Sequence, residues 1–416
     1  MKRRLLSITL LIVVSTSFFG IPEAKANYRL VSNATDSWPS VSNQYALVNG
    51  LKISDADADG TAELLAGGTF YNGTSLAELR IYHKSSGALV LEGSQLWPRP
   101  AGFSTSNVYL SAVEVGDVDG DGLTETVLVG NSVETNPMGP KSSSHLGIYR
   151  WTGSSLVKER LYNFSGPQFT TIETRGLALW TRTGVNHIVT LGYYQFWGGF
   201  GGASYAQLGV WSWDNSVLTK KALYNWTTPG GSGAGVQGFE VATGDVDMDG
   251  TPDVVTIGQS SNGTVVSSQL RVWNWDGSSL NLKQTRDWIS SGQAALGRSV
   301  SIRDLNGDNT PEIIVAGQVY EYPLLKGDLT VWSDSTGSLT QLAQTSWQTS
   351  ATQTSEEYAR VIAGDVDADG AQEIVTAGYT NMPVGSTAVH YGVIRVWSWT
   401  GTSISLEKVY RLATSD

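Results

Sequence analysis

The chain has 416 residues, no cysteine and a formal net charge of −11 at pH 7. The lack of cysteine excludes disulfides and thiolate-bound metals, and the acidic balance argues against nucleic-acid binding, which calls for a basic patch. Apart from one stretch near the N-terminus, no apolar run suggests a membrane span.

The N-terminus has the composition of an export signal. A basic triplet at residues 2–4 precedes an apolar stretch at residues 5–19, and Ala-Lys-Ala at residues 24–26 has the small-x-small form of a cleavage site. We therefore predict a signal peptide over residues 1–26 and a secreted mature chain of residues 27–416, placed extracellularly, at the cell surface or in the periplasm. Removing four basic residues and one acidic residue takes the net charge from −11 to −14.

Five acidic runs recur along the mature chain, with metal-ligand side chains at their first, third, fifth and ninth positions. The clearest run begins at Asp245 and has Gly250 at its sixth position; in the run that begins at Asp304, Asn309 takes the place of the glycine. The five sets are Asp55, Asp57, Asp59 and Glu63; Asp117, Asp119, Asp121 and Glu125; Asp245, Asp247, Asp249 and Asp253; Asp304, Asn306, Asp308 and Glu312; and Asp365, Asp367, Asp369 and Glu373.

This spacing predicts calcium sites. Ca²⁺ takes six to eight hard oxygen ligands, which alternating carboxylates on a tight loop can direct at one centre, and the sixth residue must tolerate positive φ. The seventh residue of each loop would add a backbone carbonyl, from Thr61, Leu123, Thr251, Thr310 and Ala371. An EF-hand would need a glutamate at the twelfth position, which no run has. We predict about five Ca²⁺ ions per chain, against the alternative of acidic surface turns.

The acidic runs mark a repeat of about 62 residues. A sixth copy begins at Leu179, where Leu179, Thr181, Thr183 and His187 replace the ligands, so that we expect this third unit to bind no metal. A glycine follows at the fourteenth position of each copy, and later a strand such as Leu270-Arg-Val-Trp273. Alternating apolar residues between turns give four short strands per unit and no helical period.

Six units of four strands predict one all-β domain, a six-bladed β-propeller. The aromatic residues of the third strands are expected to fill the gaps between blades. The fourth strands of the first five units have an apolar residue eight positions before an aromatic, whereas the last unit has Ile404 and Leu412; Leu30 and Trp38 repeat the pair ahead of the first unit. Residues 28–38 therefore form either a closing strand or the remnant of a lost blade, which leaves seven blades as the alternative.

The connections between second and third strands are expected to be long and variable, which suits ligand binding on a rigid scaffold. The richest one contains Tyr193, Tyr194, Phe196, Trp197 and Phe200. Aromatic side chains beside glycine and glutamine suit sugar stacking or a protein contact. The alternative is that these rings pack inside the fold.

The pattern Asp-x-Asp-x-Asp-Gly-x-x-Asp/Glu in five of six units resembles the FG-GAP repeat family, also described as VCBS-type repeats, and the integrin alpha-chain propeller. The resemblance covers residues 40–416 and implies a β-propeller with Ca²⁺ between the first two strands of a blade. The integrin Gly-Ala-Pro motif is replaced by Ala316-Gly317 and Ala377-Gly378 without proline, and integrin propellers have seven blades.

Three functions remain open from the sequence. A secreted binding or adhesion module for a glycan or protein is the reading we favour. A polysaccharide-degrading enzyme on a propeller scaffold is the first alternative, although about half of the acidic residues already have a metal role and no catalytic signature accompanies the four histidines. A structural surface or matrix protein is the second.

Overall fold

The computed structural model describes most of the repeat region. The described residues are 46–71, 74–85, 88–97, 107–136, 139–165, 170–182, 184–196, 202–289, 292–335, 337–348, 355–367, 369–384 and 387–412. The expected signal peptide, the Leu30/Trp38 pair, Trp197 and Phe200 lie outside them. None of the described residues forms a helix with the length and hydropathy of a membrane span.

The protein is all-β, as predicted, and its strands fall into six consecutive groups of four, which we call units one to six. Unit one contains β1 Ala46–Ser54, β2 Glu63–Tyr71, β3 Ser75–Ser85 and β4 Ala88–Leu96. Unit two contains β5 Asn107–Gly116, β6 Glu125–Asn136, β7 Gly139–Trp151 and β8 Leu156–Phe164. Unit three contains β9 Thr170–Arg182, β10 Val185–Phe196, β11 Ser204–Trp213 and β12 Leu218–Trp226.

The second half of the chain repeats the plan. Unit four contains β13 Ala234–Gly244, β14 Asp253–Asn262, β15 Val266–Trp275 and β16 Leu280–Trp288. Unit five contains β17 Ala294–Arg303, β18 Glu312–Glu321, β19 Leu324–Ser333 and β20 Thr340–Trp347. Unit six contains β21 Ser355–Gly364, β22 Glu373–Val384, β23 Thr387–Trp399 and β24 Ile404–Leu412.

Strands within a unit pair antiparallel in chain order, and the units also touch one another. Units one and two are separate four-stranded sheets, whereas units three to six join into a 16-stranded sheet. The joining contacts are single parallel bridges between the third strand of one unit and the first strand of the next, at Ser204/Gly235, Val266/Ala294 and Leu325/Ser355.

A β-bulge interrupts the first strand of every unit at the same register and explains the recurring glycine. In unit four the extra residue is Phe239, beside the pair of Gly238 with Gly258. A Cβ atom on Gly258 would lie 2.0 Å from the carbonyl oxygen of Gln237, and Gly130, Gly192 and Gly317 approach the backbone as closely. Only glycine permits such an approach, so the bulge accounts for the glycine at the fourteenth position.

The aromatic residues of the third strands pack between units, as predicted. In units two to six each lies against the aromatic residue at the end of the preceding unit's fourth strand. The pairs, with ring-centroid distances, are Tyr149/Trp97 at 6.1 Å, Trp211/Phe164 at 5.7 Å, Trp273/Trp226 at 5.1 Å, Trp332/Trp288 at 4.8 Å and Trp397/Trp347 at 4.9 Å. These contacts extend the hydrophobic core from one unit into the next.

The expectation of long second connections is wrong for units two, five and six. Their second and third strands extend toward each other until only residues 137–138, 322–323 and 385–386 separate them. Polar residues in these extensions are buried because the sheet satisfies them: His145 is fully buried and its ring nitrogens lie 2.7 Å from Asn163 Oδ1 and 2.8 Å from Ser132 Oγ. Polar composition therefore misplaced the strand ends.

Candidate metal sites

The five acidic loops share one pattern of hydrogen bonds from backbone N–H groups to their own carboxylates. In unit one, Asp55 Oδ2 accepts from Gly60 N–H at 2.9 Å, Asp59 Oδ1 accepts from Thr61 N–H at 2.7 Å, and Glu63 Oε2 accepts from Ala56 N–H at 2.8 Å. The equivalent three bonds recur in units two, four, five and six.

The sixth residue of each loop has the left-handed backbone that the sequence predicted. The φ angles are 89° at Gly60, 87° at Gly122, 81° at Gly250, 68° at Asn309 and 91° at Gly370. Because glycine and asparagine tolerate this region, the chain can reverse tightly enough to bring the first, third and ninth side chains together.

Carboxylate oxygens converge in four of the loops. In units one, two, four and six, one oxygen from each of three side chains lies within 4.8 Å of the other two. The groups are Asp55, Asp57 and Glu63; Asp117, Asp119 and Glu125; Asp245, Asp247 and Asp253; and Asp365, Asp367 and Glu373. These clusters could hold a metal ion, and hard carboxylate oxygens suit Ca²⁺ or Mg²⁺.

The residue at the ninth position of each loop is buried. Glu125 is 0% exposed and Glu373 is 3% exposed, and burial raises the pKa of each to about 7 against the hydrogen bond from Val118 or Val366 N–H. Burial also raises the pKa of Asp253 to about 6. The negative charges of neighbouring carboxylates raise these pKa values further. Ionising the clusters therefore costs free energy, and a bound cation would lower that cost.

Several buried oxygens of the clusters have no hydrogen-bond partner. They are Asp119 Oδ2 and Glu125 Oε1 in unit two, Asp247 Oδ1 in unit four and Asp365 Oδ1 in unit six. An unsatisfied buried carboxylate oxygen is costly unless an ion or water meets it. Together with the converging oxygens, this donor set fits a hard divalent cation.

The loop of unit five brings its side chains together differently. Asn306 occupies the third position and donates from Nδ2 to Glu312 Oε1 at 3.2 Å, while its Oδ1 accepts from Asp308 N–H at 2.9 Å. Asp304, Asp308 and Glu312 supply three carboxylates to the predicted site. The amide thus ties the ninth residue within the loop, a contact that no carboxylate at the third position could donate.

Unit three closes the same turn without carboxylates. Gly184 has a φ of 76°, and Asn186 Oδ1 accepts from the Thr181 hydroxyl at 2.6 Å while its amide donates to the carbonyl of Asp117 in unit two at 2.5 Å. His187, at the ninth position, packs its ring 5.6 Å from Trp180 and 6.1 Å from Trp275. Hydrogen bonds and aromatic packing hold this loop.

Each unit has one further residue of interest that its sequence pattern did not indicate. Every fourth strand has a β-bulge, and the bulged residue is Glu92, Glu159, Lys221, Lys283, Leu342 or Glu407 in units one to six. In units one, two and six its charge raises the pKa of the ninth residue of the same unit's loop. No local sequence signal marks these bulges; comparing equivalent positions across units would have revealed the residues.

Two basic groups sit beside these glutamates. His83 Nδ1 lies 2.9 Å from Glu92 Oε1 in unit one, and Arg150 Nη2 lies 2.5 Å from Glu159 Oε1 and 3.8 Å from Asp121 Oδ2 in unit two. In unit four the bulged Lys283 itself enters the loop and contacts Asp247, with Asp253 Oδ1 at 3.1 Å and Asp249 Oδ2 at 3.5 Å.

The expectation of an exposed aromatic loop in unit three is wrong for two of its residues. Tyr193 and Tyr194 belong to β10 and are each 7% exposed. The Tyr194 ring stacks on Tyr205 at 5.2 Å, and Phe196 meets Tyr205 edge-on at 5.9 Å. The rings of Phe196 and Tyr205 are partly exposed, so they are the described part of this segment that a ligand could reach.

No protein-family model and no curated protein matches the chain. It is similar to the exotype rhamnogalacturonan lyase YesX at 13% identity and a TM-score of 0.45, over 88% of this chain and 66% of that chain, just under two thirds of its length. A rhamnogalacturonan lyase from Bacillus licheniformis matches at 14% identity and 0.38, over 87% and 82% of the two chains. An α-L-arabinanase from Penicillium chrysogenum matches at 13% and 0.45, over 80% and 94%. These values assign the chain to no family.

Proposed function

We propose that this chain is a secreted, calcium-binding six-bladed β-propeller of the FG-GAP type that binds a glycan or protein ligand. Six consecutive four-stranded units with matching bulges support the blade count. Arg360 in the first strand of unit six supports a closed ring, because it donates to the carbonyl of Asn49 in unit one at 3.2 Å and pairs with Glu240 in unit four at 2.6 Å.

The observation that carries the calcium assignment is the convergence of three carboxylates on one point in repeated loops. In the loops of units one, two and six, the first, third, fifth and ninth side chains would supply oxygen ligands, and the carbonyls of Thr61, Leu123 and Ala371 would complete the shell. Unit five would use the same positions with Asn306 and the carbonyl of Thr310. Bound Ca²⁺ would neutralise the buried carboxylates and fix the turn.

Calcium titration of stripped protein tests this assignment. We expect several ions per chain by isothermal titration calorimetry and native mass spectrometry. Mg²⁺ should compete poorly, because it demands near-ideal octahedral geometry and loses its bound waters reluctantly. Asp119→Ala, which removes the oxygen ligand at the third position, should remove one ion, whereas Asp214→Ala, in a loop without a metal cluster, should remove none. A stripped protein that takes up no Ca²⁺ contradicts the proposal.

The face opposite the metal loops is the proposed binding surface. In this architecture the connections between second and third strands share one face, and Phe196, Tyr205 and Tyr322 lie at or beside them. Tyr322 is 76% exposed, and the stacked rings of unit three offer a flat apolar surface. Exposed aromatics on a rigid scaffold suit sugar stacking and protein hot spots.

A glycan array and a protein array, each probed with and without Ca²⁺, would identify the ligand class. Tyr322→Ala and Phe196→Ala should weaken binding by tenfold or more and leave the melting temperature nearly unchanged. Leu406→Ala provides the control, since Leu406 is 49% exposed on a fourth strand and distant from these connections along its unit. Binding that survives both aromatic changes excludes this surface.

A polysaccharide-degrading enzyme is the second candidate. The names of the compared structures agree with it rather than with a binding module; its support in this chain is a pair of carboxylates on the first strands. Burial raises the pKa of Glu114, against the nearby Lys52 ammonium, and the charge of Glu240 raises it further. Glu240 is itself held by Arg360 and by Val300 N–H at 2.9 Å. A carboxyl group with a raised pKa beside a second carboxylate is an arrangement that general acid catalysis uses.

This candidate predicts turnover of a polysaccharide by the wild-type protein. Glu114→Gln should lower turnover by about 10²–10⁴-fold, the usual contribution of general acid–base catalysis. Asp214→Asn, which lies on an exposed turn, should leave it unchanged. A protein that binds polysaccharides but releases neither reducing ends nor unsaturated products from any of them would leave the binding module as the function.

A further inference from the structure

The bulged residue of the fourth strand separates the units by charge. It is acidic in units one, two and six, where four carboxylates line the loop, and it is Lys221 in unit three, whose loop has no carboxylates. Unit four breaks this correspondence, because its loop has four aspartates and its bulged residue is Lys283. A bulge re-aims its side chain, so the charge that each unit directs at its own loop differs in sign.

Lys283 lies among the carboxylates of the unit-four loop. Its ammonium contacts Asp247 and lies 3.1 Å from Asp253 Oδ1 and 3.5 Å from Asp249 Oδ2. The loop still has the backbone of the other metal loops, with Asp245 Oδ2 accepting from Gly250 N–H at 2.9 Å. The third, fifth and ninth positions of the predicted calcium shell are thus directed at a side-chain cation.

A second buried carboxylate reinforces this arrangement from the next unit. Asp334 of unit five is 0% exposed, and neither of its oxygens has a hydrogen-bond partner. The charges acting on it are those of Asp247 and Lys283. Units two, three, four and six have tryptophan at the equivalent position, Trp151, Trp213, Trp275 and Trp399. The aspartate therefore adds negative charge beside the one metal loop whose bulged residue is a lysine.

We propose that Lys283 is the resident cation of the unit-four loop, so that this loop is held closed without Ca²⁺ while the loops of units one, two and six take the ion. The assignment rests on the proposed calcium function and revises the expectation of an ion at Asp245, Asp247, Asp249, Thr251 and Asp253.

Physical reasons favour the lysine over a free ion in this loop. The ammonium is tethered to a neighbouring strand of the same unit, so its local concentration is fixed by the fold rather than by the solution. A Ca²⁺ ion entering the cluster would either expel the ammonium or share a partly buried site with it. Like charges repel strongly at the low dielectric of such a site, and Asp334 would lose the nearest positive charge acting on it.

Ion counts for single variants test the assignment. Stripped protein is reloaded with Ca²⁺, and the bound ions are counted by native mass spectrometry. We expect Asp247→Ala in unit four to leave the count unchanged and Asp119→Ala, at the same loop position in unit two, to lower it by one. A count that falls by one in Asp247→Ala overturns the assignment while leaving the proposed calcium function intact.

The converse experiment removes the lysine. Lys283→Met should raise the ion count by one, since four aspartates are then left without a cation. Lys221→Met removes the same charge at the same bulge of unit three and should leave the count unchanged. A folded Lys283→Met protein with the wild-type count overturns the assignment; a wild-type protein without bound calcium overturns it together with the proposed function. If Lys283→Met does not fold, the ion count of Asp247→Ala decides.

Discussion

In unit two the turn between the first and second strands carries Asp117, Asp119 and Glu125, whereas in neighbouring unit three the same positions carry Leu179, Thr181 and His187. Both turns contain a glycine in the left-handed region, with φ of 87° at Gly122 and 76° at Gly184. The shared conformation shows that glycine and the flanking strands determine the turn. In unit two the carboxylates add mutual electrostatic repulsion to the turn. In unit three hydrogen bonds and aromatic packing stabilise the same turn instead.

The two units also show how the loops depend on one another. Asn186 of unit three donates to the carbonyl of Asp117, and Thr124 of unit two donates to the carbonyl of Ala56 in unit one at 2.8 Å. Each contact starts from the eighth position of one loop and ends in the loop of the preceding unit. A loop that lacks metal therefore still supports a neighbouring loop that is predicted to bind it.

Removing calcium should have the largest effect and should act on unit two but not on unit three. One site saturated at 100 times its Kd contributes about 2.7 kcal/mol, and the proposal has three or more sites. We therefore expect chelation to lower the melting temperature by about 5 °C or more, at roughly 2 °C or less per kcal/mol for a chain of this size.

Matched variants at the ninth loop position separate the two units in that experiment. Glu125→Gln in unit two should reduce the shift caused by chelation, because it removes a ligand. His187→Gln in unit three should lower stability through lost aromatic packing and leave the chelation shift unchanged. A melting curve of metal-loaded wild-type protein that does not respond to EDTA contradicts the calcium assignment.

The second prediction tests whether the packing of the first and second strands is independent of the residues in the loop between them. Gly192 in unit three and Gly258 in unit four each approach a first-strand carbonyl so closely that a Cβ would lie 2.0 Å from its oxygen. Replacing either with alanine should cost about 3 kcal/mol, the upper end of typical overpacking, and equally in both units. Gly364→Ala is the control, since a Cβ there meets no atom within 4 Å. Equilibrium denaturation would measure the free energy of unfolding of all three variants. Unequal losses at Gly192 and Gly258 would show that the strand packing depends on the metal loop.

The third prediction concerns pH in the absence of calcium. Burial raises the pKa of Glu125 to about 7, from the ordinary glutamate value of 4.5. Because the folded state then binds the proton more tightly, this contribution to stability is present below about pH 4.5 and is lost as the pH rises through 7. Stripped wild-type protein should lose about 2 kcal/mol of stability between pH 5 and pH 7.5 from this group, at 1.36 kcal/mol per pKa unit with allowance for relaxation.

The variant Glu125→Gln isolates that term, because other titrating groups, including the buried His145, remain in both proteins. The pH dependence of the stripped variant should be flatter than that of the wild type. Calcium should reverse the wild-type slope, since protons and the ion compete for the same oxygens. Parallel pH profiles of the two stripped proteins would show that Glu125 titrates normally.

The features that the sequence predicted are those that recur because the fold requires them in every unit. Gly258 and its equivalents meet a bulged neighbouring strand, and the third-strand aromatics fill the space between units, so both repeat with the unit and are visible as a period. The loop ligands are visible for the same reason. These repeated residues are the reason that six groups of four strands and the carboxylate clusters could be predicted from the sequence.

The features that the sequence did not reveal depend on contacts between distant residues. Ser132 and His145 are polar yet buried, because the opposite strand satisfies them, so strand ends were placed too early. Tyr193 and Tyr194 read as a loop because glycine follows them, yet the sheet continues through both. Lys283 reaches the metal loop only because a bulge turns it there, and Asp334 only because the next unit packs alongside.

The last prediction has the smallest expected effect and concerns the hydrogen bonds that stabilise the loop of unit three in place of carboxylates. Asn186→Ala eliminates two hydrogen bonds: the one that the side chain accepts from the Thr181 hydroxyl and the one that its amide donates to the Asp117 carbonyl. A neutral hydrogen bond contributes about 1 kcal/mol net, so we expect a loss of about 1–2 kcal/mol in equilibrium denaturation. Asn186→Asp keeps the acceptor for the Thr181 hydroxyl but turns a carboxylate oxygen toward the Asp117 carbonyl oxygen, so it should lose at least as much stability as Asn186→Ala. Because the amide bond ends on a predicted calcium ligand of unit two, both variants should also weaken calcium binding by the whole chain slightly. An unchanged calcium affinity in both variants would show that the contact between the two loops supports only the fold.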